Sequence, residues 1–173
     1  MIKNVVLTGM MGVGKTTIGK NLAEKLSFSF LDTDKIIEED EGSSIKDIFK
    51  KRSEIYFRKI EQKTTLRLLK NDNSVIALGG GAFLNNIIRE TSKKTSISFW
   101  LDVSVEILIK RLEKSSKRPL LLKKNLRQTV NKIYLERKKT YSEADFRINC
   151  ENLKTEEITL KILSLYEKTR NKI

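Results

Sequence analysis

Val5-Val6-Leu7-Thr8-Gly9-Met10-Met11-Gly12-Val13-Gly14-Lys15-Thr16 is an apolar run followed by the pattern G-x-x-x-x-G-K-T. A strand that ends in this pattern and opens into a helix is a phosphate-binding loop. Its glycines let backbone N–H groups turn inward around an anion, and the helix start adds its positive end. Gly12, Val13, Gly14, Lys15, Thr16 and Thr17 are therefore candidate nucleotide-binding residues, with Lys15 reaching the outer phosphates and the Thr16 hydroxyl available to Mg²⁺. The four fixed positions would coincide by chance in a chain this long about half a per cent of the time, so an ordinary glycine turn explains them poorly. The next residues agree, since Ile18, Leu22 and Leu26 recur at helical spacing with Lys20, Glu24 and Lys25 on other faces.

Working outward, apolar runs at 28–31, 74–78, 97–101 and 146–150 read as four further strands. Helical patterns separate them, at 35–39, 44–51, 53–70, from about 85, at 104–113 and at 126–144, with a terminal helix capped by Thr155. Ser44-x-x-Asp47 resembles a capping box. Between Lys114 and Asn125 the periodicity fails, and the segment reads as a mobile loop. Strands alternating with helices predict an α/β fold, a five-stranded parallel sheet in the middle of three αβα layers. Ligands of such sheets lie beyond the carboxyl ends of the strands, where the loop, Asp32/Asp34 and Gly79-Gly80-Gly81 all fall.

The length of 173 residues suits one domain with one core. A net charge of +13 fits a nucleic-acid binder or a handler of small polyanions, but the lysines are scattered and form no stripe interleaved with aromatics. With no histidine, proton transfer falls to a carboxylate, a lysine or a tyrosine. The single Cys150 suits a reducing cytoplasm. No signal peptide and no long apolar run stands out, so a soluble cytoplasmic protein without a membrane segment is expected.

Asp32 and Asp34, two apart, are expected on an extended strand end with both side chains facing the site, one near Mg²⁺ and one against an acceptor hydroxyl. An Asx turn opening the next helix is the plainer alternative. Glu54, Arg58 and Glu61 share one helix stripe, as either a solvated ion-pair ladder or an arginine fork held by two glutamates. Arg137 shares a face with Tyr141, and the residues alone leave open whether it is a second fork. Gly79, Gly80 and Gly81 remove side chains where a ligand or backbone approaches closely.

Taken together, these motifs resemble the shikimate kinases, small P-loop enzymes of the nucleoside-monophosphate-kinase type. The resemblance runs through Gly9–Thr16, Asp32 and Asp34, Phe49–Glu61, Gly79–Gly81, Arg118–Leu121 and Arg137–Tyr141. It implies a P-loop kinase fold with ATP and Mg²⁺, and phosphorylation of the shikimate 3-hydroxyl on the route to the aromatic amino acids. Asp34 would be the base, and Arg58, Arg137 and Gly79–Gly81 would hold the substrate. Asp32 and Thr16 would serve the metal, Arg111 would lie near the adenine, and Lys15 and Arg118 would hold the phosphates. It further implies a single domain over 1–173, with a substrate segment at 33–61 and a lid at 113–124, acting as a monomer without nucleic acid. Three features depart from the family, one of them the adenine loop after Asn149-Cys150, which matches loosely. Ser53 stands where a glycine is usual, and Ala77-Leu78 where relatives often carry a hydroxyl, leaving Mg²⁺ more dependent on Thr16 and Asp32. The competing expectations are a related small-molecule kinase, such as a gluconate kinase, or a catalytically idle P-loop protein that binds nucleic acid.

Overall fold

The computed structural model describes residues 4–113 and 125–171. Asn4–Thr8 forms β1 and Lys15–Leu26 forms α1; Ser29–Asp32 (β2) leads into Thr33–Glu41 (α2), Ile45–Lys51 (α3) and Glu54–Leu68 (α4). Ser74–Ala77 (β3) is followed by a 3₁₀ turn at Ala82–Leu84 and by Asn86–Thr95 (α5). Ser96–Asp102 (β4), Val105–Glu113 (α6), Leu126–Tyr141 (α7), Phe146–Asn149 (β5) and Thr155–Arg170 (α8) complete the order. Each expected strand and helix is present with shifted ends. The loop expected at 114–125 lies, except for Asn125, outside the described residues.

The strands form one parallel sheet in the order β2-β3-β1-β4-β5. Every residue of β1, β3 and β4 is buried, which requires helices over both faces of the sheet. The core joins Val5, Leu7, Ile76, Phe99 and Leu101 to Ile18 and Leu22 of α1 and to Ile158, Ile162 and Tyr166 of α8. Each such aliphatic side chain contributes about 1.5–3 kcal/mol by leaving water. A separate small core of Ile37, Ile48 and Phe57, with Phe49 and Ile60 against it, ties α2, α3 and α4 together.

Sequence order reverses at β1, which has β3 on one side and β4 on the other. The register sets Leu7 opposite Ala77 and Asp32 opposite Ala77, so the carboxyl ends of β1, β2 and β3 finish level. That edge is the crevice in which doubly wound sheets bind ligands. Local caps fix the helices around it. Ser44 accepts the N–H of Asp47 and Ser53 that of Tyr56, each cap worth about 1 kcal/mol. The serine in place of the usual glycine before Glu54 thus starts α4. Thr155, expected as the cap of α8, is instead its first residue, and the carboxylate of Glu157 accepts the N–H of Lys154 before it. No helix among the described residues is long and apolar enough to cross a membrane.

Candidate active site

The phosphate loop joins the end of β1 to α1. Gly12 has φ +79° and Gly14 φ +109°, backbone conformations that a Cβ disfavours strongly and that turn the chain around a concave centre. The Lys15 ammonium donates to the carbonyls of Gly9 at 2.8 Å and Met10 at 3.0 Å, which holds it folded over the loop. Arg111 of α6 reaches the same loop from outside, with Nη1 3.0 Å from the Val13 carbonyl and 3.5 Å from that of Gly12. Val13 is buried, while Thr17 is exposed in the first turn of α1. Six of the expected nucleotide residues and Arg111 therefore surround one loop. Arg118 lies outside the described residues.

Asp32 connects this loop to the next unit. One carboxylate oxygen accepts from the Thr16 hydroxyl at 2.8 Å, and the other accepts the N–H of Asp34 at 3.2 Å and of Lys35 at 3.5 Å. The expectation of two acids on one extended strand is thus corrected. β2 ends at Asp32, whose side chain caps α2, and Asp34 lies in the first turn of that helix. The Asx-type cap set aside as the plainer reading is present, and through it the helix turn brings Asp34 to the crevice.

Asp34, Arg58, Glu61 and Arg137 converge on the glycine run after β3. A Cβ on Gly79 would overlap the Asp34 carboxylate and sit 3.1 Å from that of Glu61; one on Gly81 would overlap the Arg58 guanidinium. At Gly80 it would stand 3.4 Å from Arg137 Nη1. The sequence reading expected a ligand or backbone at these glycines: side chains lie against Gly79 and Gly81, while at Gly80 the phosphate-loop backbone at Met11 N and Gly9 O also stands within 4 Å of the Cβ position. None of the three has a positive φ, so Gly79 and Gly81 are glycines for space, whereas a Cβ at Gly80 would meet only ordinary contacts.

Arg58 joins the two readings of its stripe. Its Nη1 is 2.8 Å from Glu61, which is buried, and its Nη2 is 3.1 Å from Glu54, which is exposed. One end is a surface pair of small weight, and the other is a buried pair whose breaking leaves a charge without its partner. Burial pushes the Glu61 carboxyl above its usual range, Arg58 opposes that rise, and the Asp34 charge adds to it. Arg137 Nη1 donates to the Gly80 carbonyl at 2.8 Å, and the hydroxyl of buried Tyr141 donates to the same oxygen. Arg58 and Arg137 thus approach adjacent glycines from α4 and α7.

Two bonded groups, one fastening the crevice and one at the end of β4, were not identified from sequence. Thr33, fully buried between the two acids, accepts the N–H of Gly79 at 2.8 Å and donates to the Ala77 carbonyl at 3.2 Å. It fastens the start of α2 to the end of β3. Nothing in Asp32-Thr33-Asp34 tells which of the three turns inward. Asp102, at the end of β4, accepts from Arg147 at 2.7 Å and from Tyr134 of α7 at 3.1 Å. Here a signal existed, because an acid closing a strand had already picked out Asp32. Cys150 is buried with its thiol pushed up to about 11 by burial, so it is inert near neutral pH.

Among the described residues no cluster of three or more acidic or sulfur ligands could hold a metal by itself. The oxygen pair of Thr16 and Asp32, 2.8 Å apart, instead suits a hard cation that keeps most of its shell from water and phosphate.

Comparison with known proteins gives one consistent family. Residues 11–167 match the model of the family described as shikimate kinase. The shikimate kinase of Persephonella marina is 41% identical over 162 residues, covering 94% of this chain and 98% of that protein. The shikimate kinase of a Sulfurihydrogenibium species is 42% identical over 165 residues, covering 94% and 97%. Shikimate kinase from Acinetobacter baumannii, solved in complex with shikimate, superposes with a TM-score of 0.92 at 34% identity, covering 98% of this chain and 95% of that one.

Proposed function

Since this chain belongs to the shikimate kinase family, we propose that it transfers the γ-phosphoryl group of ATP to the 3-hydroxyl of shikimate in the Gly79–Gly81 crevice. The observation that carries this reading is the convergence of two carboxylates and two guanidinium groups on a floor without side chains, level with the phosphate loop. A hydroxylated carboxylic acid matches that set. Arg58 and Arg137 offer planar forks for its carboxylate, and Asp34 accepts its hydroxyl.

In the proposed reaction the substrate oxygen bonds to the γ-phosphorus as the bond to the bridging β–γ oxygen breaks, and ADP leaves. Asp34 takes the hydroxyl proton. Lys15 and the loop N–H groups of Gly12–Thr17 hold the phosphates, with Arg111 bracing the loop carbonyls and Arg118 a further phosphate contact from the 113–124 segment. Thr16 and Asp32 would hold Mg²⁺, whose charge offsets that of the phosphates. Residues 33–61, which contain the small α2–α4 core, form the acceptor segment of a single domain. The proposed state is a monomer, and the proposed setting is the cytoplasm.

A coupled ADP-release assay with shikimate and with gluconate tests the assignment. Turnover is expected with shikimate and not with gluconate. Turnover with gluconate alone would move the chain to another small-molecule kinase activity. No turnover with either, together with salt-sensitive nucleic-acid binding, would favour a non-catalytic P-loop protein.

A further inference from the structure

We propose that Tyr141 is a positioning residue: by keeping the Gly80 carbonyl bonded, its hydroxyl lets the Arg137 guanidinium turn to the carboxylate of the acceptor. The proposal rests on the role given to Arg137 above. Without a substrate, two donors meet on one oxygen, the Tyr141 hydroxyl and Arg137 Nη1, the latter at 2.8 Å. A carbonyl oxygen has two lone pairs and can accept both.

The two donors are not equivalent. Arg137 is half-buried at the crevice, and its planar fork is the group suited to a carboxylate. Tyr141 is fully buried one helical turn further along α7, with its ring 6.1 Å from that of Trp100, so its hydroxyl stays where the ring holds it. When Arg137 swings toward an anion, Gly80 keeps a donor. Replace Tyr141 by phenylalanine and Arg137 becomes the only one of the two left, so an incoming carboxylate must compete with Gly80 for the guanidinium. The hydroxyl thus lowers the cost of recruiting Arg137 without touching the substrate.

The test is a double-mutant cycle read by calorimetric titration with shikimate on the unmodified protein, Tyr141→Phe, Arg137→Ala and the double variant. ADP titration of each reports an intact nucleotide half. Tyr141→Phe is expected to weaken shikimate binding roughly five- to tenfold with ADP affinity unchanged. In the Arg137→Ala background the same change should weaken it no further, because no guanidinium remains to be released. Equal losses in both backgrounds would overturn the proposal in favour of a packing role, and so would unchanged binding in Tyr141→Phe. If Arg137→Ala alone leaves shikimate binding unchanged, or the unmodified protein does not bind it, the reading beneath the proposal falls as well.

Discussion

Both halves of the crevice are built on glycine, for opposite reasons. In the phosphate loop Gly12 and Gly14 sit at φ +79° and +109°, and the backbone itself is the binding surface. At Gly79–Gly81 no φ is positive, and what matters is the missing Cβ, whose space is taken by Asp34 at Gly79 and by Arg58 at Gly81, with Glu61 and Arg137 alongside. A backbone nest depends on a few consecutive residues. A side-chain floor depends on helices from distant parts of the chain arriving together. In the proposed function the first half serves any triphosphate user and the second selects the acceptor, so damage to one should spare the other.

The hardest strain on this contrast is chemical. Asp34→Asn keeps the shape of the side chain but removes the proposed proton acceptor, so turnover should fall by about 10²–10⁴-fold while ATP binding stays within a factor of two or so. Steady-state rates with calorimetric nucleotide affinities check this, and a comparable loss of ATP affinity would merge the two halves. A smaller effect sharpens how the acceptor floor is fastened. Thr33→Val leaves the buried Gly79 N–H and Ala77 carbonyl without their hydroxyl partner, which should cost about 1–3 kcal/mol in urea unfolding, while Thr33→Ser keeps most of it. Equal stabilities for the valine and serine forms would remove Thr33 from the account.

The smallest expected effect is electrostatic. Burial raises the folded-state value of Glu61 above its unfolded one, so the stability it contributes is fully present below the ordinary glutamate range. That contribution is lost as pH rises through the raised value. Glu61→Gln should therefore flatten this part of the stability-versus-pH curve, as followed by urea unfolding from pH 4 to 7. An identical slope in both proteins would mean that the Glu61 carboxyl is not held in a desolvated pocket.

The same contrast explains what the sequence made legible. The loop is local, so G-x-x-x-x-G-K-T and the periodicity after it disclosed its place, its helix and its neighbours. The sheet was equally readable, because buried parallel strands appear as unbroken apolar runs such as Val5-Val6-Leu7. The acceptor half was readable only as a set of separate candidates. Spacing placed Glu54, Arg58 and Glu61 on one stripe, but not the burial that separates Glu61 from Glu54, since that depends on where Gly79 and Asp34 lie in space. Asp34 was assigned to the crevice by a wrong route, along a strand, because an Asp cap that ends the strand two residues earlier has the same sequence pattern. Arg111 was expected near adenine by resemblance, and its bonds to the loop carbonyls needed the packing of α6 to be seen. Thr33 left no signal, as a hydroxyl between two acids reads the same whether it faces water or the sheet.

The independence of the two glycine clusters is tested most directly by a crossed pair of alanine substitutions, titrated with ADP and with shikimate. Gly14→Ala strains a backbone at φ +109° at a cost of about 1–3 kcal/mol, and should weaken ADP roughly tenfold or more while leaving shikimate binding unchanged. Gly81→Ala puts a methyl group where the Arg58 guanidinium lies, and should weaken shikimate while leaving ADP unchanged. That crossed pattern is the predicted result; loss of both ligands in either variant would contradict the account.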